Sequence, residues 1–158
     1  MKPNLPAVHL EAWRRHYVAF WRVCNAVEAD LQAAGLPSLG WYDALYELYL
    51  APGRRLRMSE LARHALLSKS GLTRLVDKLA REKLIVRRAC SEDGRVQHIE
   101  LTERGVETLR KIWQVYGAGL ARYYAAHLDE TEARAVARAL TKVTDALNPE
   151  TRRDRPED

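Results

Sequence analysis

The 158 residues predict a mainly α-helical chain with one small β-hairpin set into it. Three observations carry that prediction. Stretches near both ends keep apolar residues at alternating spacings of three and four, the period of helices packed along a seam. The middle of the chain holds two short helical patterns separated by a tight turn. Two runs of β-formers follow, with Asp93-Gly94 as turn residues between them.

The elements can be taken in order. Residues 1–8 hold two prolines and read as irregular. A helix is expected from about His9 to Ala34. Its positions Leu10, Trp13, Tyr17, Phe20, Cys24, Val27 and Leu31 step 3-4-3-4-3-4, a heptad seam, and Gly35 and Pro37 end it. Ser38 can cap a second helix through about Leu50, with Tyr42, Leu45, Tyr46 and Tyr49 along one side and Pro52-Gly53 as its stop. Arg54, Arg55 and Arg57 lead on from there, suited equally to phosphate and to a solvated turn.

The first central helix is expected to open at Ser59 as N-cap, with Glu60 placed well for the helix dipole. Leu61, Ala62, Ala65 and Leu66 form its apolar face. The second begins near residues 68–70. Leu72, Leu75, Val76 and Leu79 make its buried stripe, while Lys69, Thr73, Arg74 and Lys78 fall on the other side. A helix with one buried face and one basic, hydroxyl-bearing face, introduced by a short helix, is the pattern of a helix-turn-helix. The strands are expected at residues 85–90 and 96–101, with Arg87 and Arg88 on the first and Arg95 just past the turn. A helix-turn-helix followed by a basic hairpin is a winged helix-turn-helix.

After the hairpin, Thr102 can cap a helix from about Glu103 to His127. Its seam is Val106, Leu109, Trp113, Tyr116, Leu120, Tyr123 and His127, with Gly117 and Gly119 weakening the middle. Asp129 and Glu132 have capping-box spacing. They start a last helix with the seam Ala133, Val136, Leu140, Val143 and Leu147, which Asn148-Pro149 ends. The charged tail, residues 149–158, is expected to be disordered. The organisation is therefore one domain: residues 38–102 form the winged motif, and residues 9–34 and 103–148 flank it as long helices fit for dimerisation.

Charge narrows the function. Residues 54–95 carry 12 basic and 5 acidic groups, so +7, while the segments before and after each carry −1. The whole excess sits on the winged motif, which is the electrostatic footprint of a polyanion partner. All 12 aromatic residues lie in 13–49 or 113–124, none on the basic stretch. A single-strand binder needs aromatic platforms for its bases. Duplex DNA is therefore the better partner, since its major groove admits a helix and that of duplex RNA does not.

Other classes find little support. No H-E-x-x-H, phosphate-binding glycine loop or G-x-S-x-G occurs, so no enzyme is expected. The five His residues show no ligand spacing, and Cys24 and Cys90 form no metal or redox pair; neither metal nor cofactor is expected. No apolar run approaches membrane-spanning length and the start has no signal region, which reads as a cytoplasmic address without a membrane partner.

The run SELARHALLSKSGLTRLVDKLAREKLIVRRACSEDGRVQHIELTERG resembles the MarR family of bacterial transcriptional regulators. The matching features are the SELA start, the S-x-S-G-L-T-R-L-V-D-K-L helix, the D-x-R of the wing at Asp93 and Arg95, and the closing L-T-E-R-G. The resemblance implies a homodimer, interlocked through the first and last two helices, that represses transcription from a pseudo-palindromic operator. It places the second helix of the motif in the major groove. Ser68, Ser70 and Thr73 then suit phosphate or base-edge hydrogen bonds, and Lys69, Arg74 and Lys78 suit phosphate or guanine. Arg87 and Arg88 join this face from the wing, and Arg95 reaches the minor groove. Asp93 would orient a nearby arginine. Gly94 departs from the Arg often found there in the family.

The resemblance also implies relief by a small aromatic or phenolic effector. Trp13, His16 and Tyr17 on the first helix, and Trp41, Tyr42 and Tyr46 on the second, offer rings and polar handles for one. A thiol-based redox sensor is the alternative. Cys24 lies on the apolar seam, where burial raises a thiol pKa, whereas Cys90 lies beside Arg87 and Arg88, which favour thiolate. A protein–protein scaffold without DNA binding is the remaining alternative, and the +7 face argues against it.

Overall fold

The computed structural model describes residues 5–64, 69–89 and 97–147, with six α-helices and a three-stranded sheet among them. Ser68, Cys90, Asp93, Gly94, Arg95 and the tail 149–158 lie outside the described residues. The chain divides into two compact units, residues 1–119 and 120–158.

In the first unit, α1 (Ala7–Ala33) and α2 (Leu39–Leu50) meet at a turn where Gly35 takes φ +66°, which an L side chain rarely adopts. Ser38 holds the cap position of α2 in an extended conformation, but its hydroxyl makes no capping bond. The acceptor is instead Glu28 of α1, whose carboxylate takes the Leu39 N–H at 2.9 Å. A cap from eleven residues upstream ties the two helices together as well as satisfying a helix end.

A short turn at Pro52–Arg54 leads into β1 (Arg55–Arg57), an edge strand that the sequence reading missed. It pairs antiparallel with β3 (Gln97–Leu101), which also pairs with β2 (Ile85–Ala89), giving the order β1-β3-β2. β1 runs directly into α3 (Met58–His64), so Ser59 lies inside the helix rather than capping it. Glu60 does the capping, accepting the Arg57 N–H at 2.7 Å.

α4 (Lys69–Arg81) has its expected stripe: Leu72, Leu75, Val76 and Leu79 are all buried. Leu45 and Leu48 of α2, Leu61 of α3, Ile85 and Ile99 of the sheet, and Val106, Leu109 and Ile112 of α5 (Glu103–Tyr123) are buried with them in the unit's core. Val27 and Leu31 of α1 complete that core.

The sheet joins α5 through a compact knot. Thr102 Oγ1 accepts the Gly105 N–H at 3.0 Å, the cap expected from sequence. The same oxygen lies 2.9 Å from the carbonyl oxygens of Lys83 and Leu84, which share its one proton. Gly105 is buried against Leu84; a Cβ there would sit 2.3 Å from the Leu84 carbonyl oxygen. The T-x-x-G of the L-T-E-R-G run is thus a cap and a close approach.

The second unit holds the last residues of α5, a short turn at Ala125–His127, and α6 (Glu130–Leu147). The α-helix ends at Tyr123, so His127 is not on its seam as expected. The capping box at Asp129 and Glu132 is present in full: Asp129 Oδ1 accepts the Glu132 N–H at 2.8 Å, and Glu132 Oε2 accepts the Asp129 N–H at 2.9 Å. No residue of α6 is buried, and Val143 and Leu147 of its seam are exposed.

Candidate nucleic-acid interface

α4 positions the main site. Its apolar stripe is anchored in the core, which forces the opposite side outward, and Thr73, Arg74 and Lys78 are exposed there. Lys69 and Ser70 start the helix at its N-terminal end. The geometry is that of a helix presenting a cationic, hydroxyl-bearing face while its own stability comes from the other side.

The wing strands carry the next two candidates, and the structure separates their environments. Arg87 shares a strand face with Ile85, the side packed towards α4, and forms an ion pair with Asp77 of that helix. Arg88 points to the other face and pairs with Glu100 on β3, Nε to Oε2 at 2.8 Å. Each therefore has a carboxylate already in place. Arg87–Asp77 links α4 to β2, and Arg88–Glu100 links two strands. Arg54 is similarly engaged: Nη1 lies 2.7 Å from Glu103 Oε1, and its guanidinium sits over the Tyr49 ring at 5.6 Å. By contrast, Arg74 and Lys78 have no carboxylate partner among the described residues.

The six aromatic effector candidates do not form one pocket. Trp13, His16 and Tyr17 lie along the exposed half of α1, where Trp13 neighbours His16 and Tyr17 at ring distances of 6.5 and 6.3 Å. Tyr42 and Tyr46 stack at 5.5 Å and join Trp113 and Tyr116 of α5, with Tyr42 6.0 Å from Trp113 and edge-on to Tyr116 at 5.0 Å. Tyr42, Tyr46 and Trp113 border a cleft of 270 Å³ lined also by Tyr49, Leu109 and Arg110. Arg110 and Tyr49 were missed in the sequence; Arg110 stands one residue from Leu109 on the α5 seam, the one signal for it. Trp41 points elsewhere, lining a separate 190 Å³ cleft with Arg74 and Lys78.

Burial, with the phenols of Tyr46 and Tyr116 and the Asp43 carboxylate nearby, pushes the Tyr42 hydroxyl up to about 12. It therefore stays neutral and able to donate. Asp43 itself is held above the usual carboxylate range by burial and by Glu47 and Glu28. Cys24 is half-buried, and burial with Asp43 and Glu28 raises its thiol, the opposite of what a reactive thiolate needs. Among the described residues no group of three or more His, Cys, Asp or Glu side chains could hold a metal ion, and no helix is long and apolar enough to cross a membrane.

The MarR family profile matches residues 34–96, which span α2 to the wing. The crystal structure of AbsC, a MarR family transcriptional regulator from Streptomyces coelicolor, is similar over 90% of this chain and 96% of that one, at 31% identity and a TM-score of 0.79. This chain belongs to the MarR family. Members of the family are transcription factors and not enzymes. The HTH-type transcriptional repressor YetL of Bacillus subtilis (strain 168) is 32% identical over 108 residues; the match spans 68% of this chain and 64% of that repressor. Sco3205 of Streptomyces coelicolor, a MarR regulator crystallised in complex with DNA, superposes over 98% of this chain and 95% of its own, at 26% identity and a TM-score of 0.82.

Proposed function

We propose that this protein is a homodimeric, sequence-specific regulator that represses transcription from a pseudo-palindromic duplex site and releases it when a small aromatic acid or phenol binds. The observation that carries the DNA reading is the outward face of α4: Arg74 and Lys78 are exposed and have no carboxylate partner among the described residues, directly opposite a buried stripe, beside a sheet whose strand β2 carries Arg87 and Arg88. The DNA complex of Sco3205 supports duplex DNA as the partner. Thr73, Arg74 and Lys78 would meet base edges and phosphates of the major groove, with Ser68, Lys69 and Ser70 at its entrance and Arg95 in the minor groove. Asp93 would hold a wing arginine in place. Arg87 acts first through Asp77, fixing the wing against the reading helix, and Arg88 through Glu100, fixing β2 to β3.

Two features support the dimer. Trp13, Tyr17 and Phe20 are each more than half exposed on α1, a large aromatic surface for one soluble chain to leave open. No residue on the seam of α6 is fully buried, and Val143 and Leu147 are exposed. A two-fold axis would place two reading helices about one turn of B-DNA apart, roughly 34–36 Å. For the effector, the Tyr42–Trp113 cleft offers stacked rings, a neutral hydroxyl and the Arg110 cation for a carboxylate or phenolate. Its 270 Å³ is below the roughly 300–1,000 Å³ of drug-sized sites, which suits a single-ring ligand.

Selection of bound sequences from a random duplex library at moderate salt tests the reading. A two-fold symmetric motif with half-sites about a helical turn apart is the expected result. Recovery of nothing beyond salt-sensitive background overturns it. The selected duplex then serves as the assay for release by single-ring acids and phenols.

A further inference from the structure

The 190 Å³ cleft between the first turn of α2 and the outer face of α4 has an unusual lining. Leu75 forms part of its wall, and around it stand Ser38, Trp41, Arg74 and Lys78. Arg74 and Lys78 are one helical turn apart and therefore on the same side of α4. No carboxylate lines the cleft, and neither cation has a carboxylate partner among the described residues. Arg54, Arg87 and Arg88, by comparison, are all paired. Ser38 is exposed, and its hydroxyl makes no capping bond to the helix it precedes. Trp41 stands apart from the ring cluster of Tyr42, Trp113 and Tyr116, and its indole N–H can only donate.

Two cations without a carboxylate partner among the described residues, together with a serine and a tryptophan that can donate, line a small cavity and select for an anion rich in acceptors. The volume is too small for a drug-sized ligand. The cleft also continues the exposed cationic face of α4. A helix lying in the major groove has the sugar–phosphate strands on either side of it, so the nearest anion for this cleft is a backbone phosphate.

We propose that this cleft seats one backbone phosphate of the bound duplex, with Ser38 and Trp41 of α2 donating hydrogen bonds to it and Arg74 and Lys78 supplying the charge. The proposal rests on the DNA reading above and extends the interface from α4 and the wing to α2. Trp41 thereby becomes a positioning residue: it sets the depth and tilt at which α4 enters the groove, without touching a base. It carries no sequence information of its own, so its loss weakens all related sites alike.

The test uses the full-length protein and the duplex selected by it. Trp41→Phe keeps the ring volume and removes the N–H; Ser38→Ala removes an exposed hydroxyl that caps nothing; Lys78→Gln removes a charge. Hydrogen bonds to a charged acceptor make the expected loss about ten-fold in affinity for each of the first two, with half-site preference unchanged. Lys78→Gln should also make the slope of log affinity against log salt shallower by about 0.9, the loss of one phosphate contact. Single methylphosphonate replacements along the duplex then locate the seat: at one flanking position the wild type weakens and Trp41→Phe weakens no further. Circular dichroism confirms that each variant is folded, and Ser38→Ala, at an exposed position, answers the question if Trp41→Phe fails to fold. Wild-type affinity in both Ser38→Ala and Trp41→Phe, or losses that add at every methylphosphonate position, overturns the proposal. Failure of the wild type to select any duplex defeats the regulator reading instead, and the two failures are distinguishable.

Discussion

Replacing Gly105 by alanine should destabilise the protein even though alanine is the better helix former. The new Cβ would lie 2.3 Å from the Leu84 carbonyl oxygen, 3.2 Å from the Leu84 carbonyl carbon and 2.6 Å from Leu101 Cδ1. Comfortable separations between such atoms are about 3.5–4.0 Å for carbon pairs, so the overlap is on the order of 1 Å. The carbonyl cannot simply yield. It accepts the Thr102 N–H at 3.0 Å and lies 2.9 Å from Thr102 Oγ1, and both Leu84 and Leu101 are buried. Overpacking of this kind costs about 1–3 kcal/mol. Loosening a Leu84 hydrogen bond adds about 1 kcal/mol, and the helix propensity of alanine returns about 1 kcal/mol. The net is about 2 kcal/mol, or a fall in melting temperature of about 4–8 °C for a chain of this size. Gly117→Ala, on the same helix, is the internal comparison. Its Cβ meets nothing nearer than the Trp113 ring at 3.5 Å, an ordinary contact, so the propensity gain of up to about 1 kcal/mol should survive. Urea titrations of both variants at one protein concentration measure the pair. Equal signs for the two substitutions, or a neutral Gly105→Ala, would refute the close-approach reasoning.

Other outcomes are as direct. Asp43→Asn should raise thermal stability at neutral pH. The folded pKa of Asp43 lies above its ordinary value, so the folded state binds more protons and stability falls as pH rises from about 3.8 through the folded pKa; the advantage of the variant over wild type should close as pH drops below that window, in melting curves taken across pH. Thr102→Ala removes a cap and leaves the Gly105 N–H without its acceptor, for a loss of about 1–2 kcal/mol in the same urea assay. Asp77→Asn should change stability by less than about 1 kcal/mol, since the pair is partly exposed, but it releases Arg87; a steeper salt dependence of duplex binding is the expected result. Trp113→Ala should abolish release of the duplex by single-ring acids while leaving duplex affinity in place, measured by fluorescence anisotropy with added ligand.

Sequence reasoning succeeded where the determinants are local. The α4 stripe follows from spacing alone, and Thr102, Asp129 and Glu132 were placed by rules that operate within four residues. It fell short where the partner is remote. Glu28 caps α2 from another helix, so Ser38 looked sufficient. β1 has only three residues, two of them arginine, and exists because β3 offers it an edge. Met58 begins α3 because that strand ends there. The aromatic residues show the same limit. Helical spacing placed Trp41, Tyr42 and Tyr46 on one helix but could not say that Trp41 turns towards α4 and the tyrosines towards Trp113. The charge excess pointed to the winged motif, while the ion pairs that remove Arg87 and Arg88 from the free cations depend on register.

In the proposed dimer, the uneven burial of α1 would couple its folding to abundance. Val27 and Leu31 anchor the C-terminal part in the core, whereas Leu10, Trp13, Tyr17 and Phe20 leave more than half their surface in water. A helical segment without tertiary cover is marginal in water. Its stability then comes from whatever covers it, and for a second copy of the chain that gain grows with protomer concentration by mass action. Amide hydrogens along the first half of α1 should therefore exchange quickly in dilute solution and slowly in concentrated solution, while those around Val27 exchange at one rate throughout. In the proposed dimer, the copy number of the protein would become an input to its own architecture: few chains would leave the aromatic helix frayed, and many would complete it.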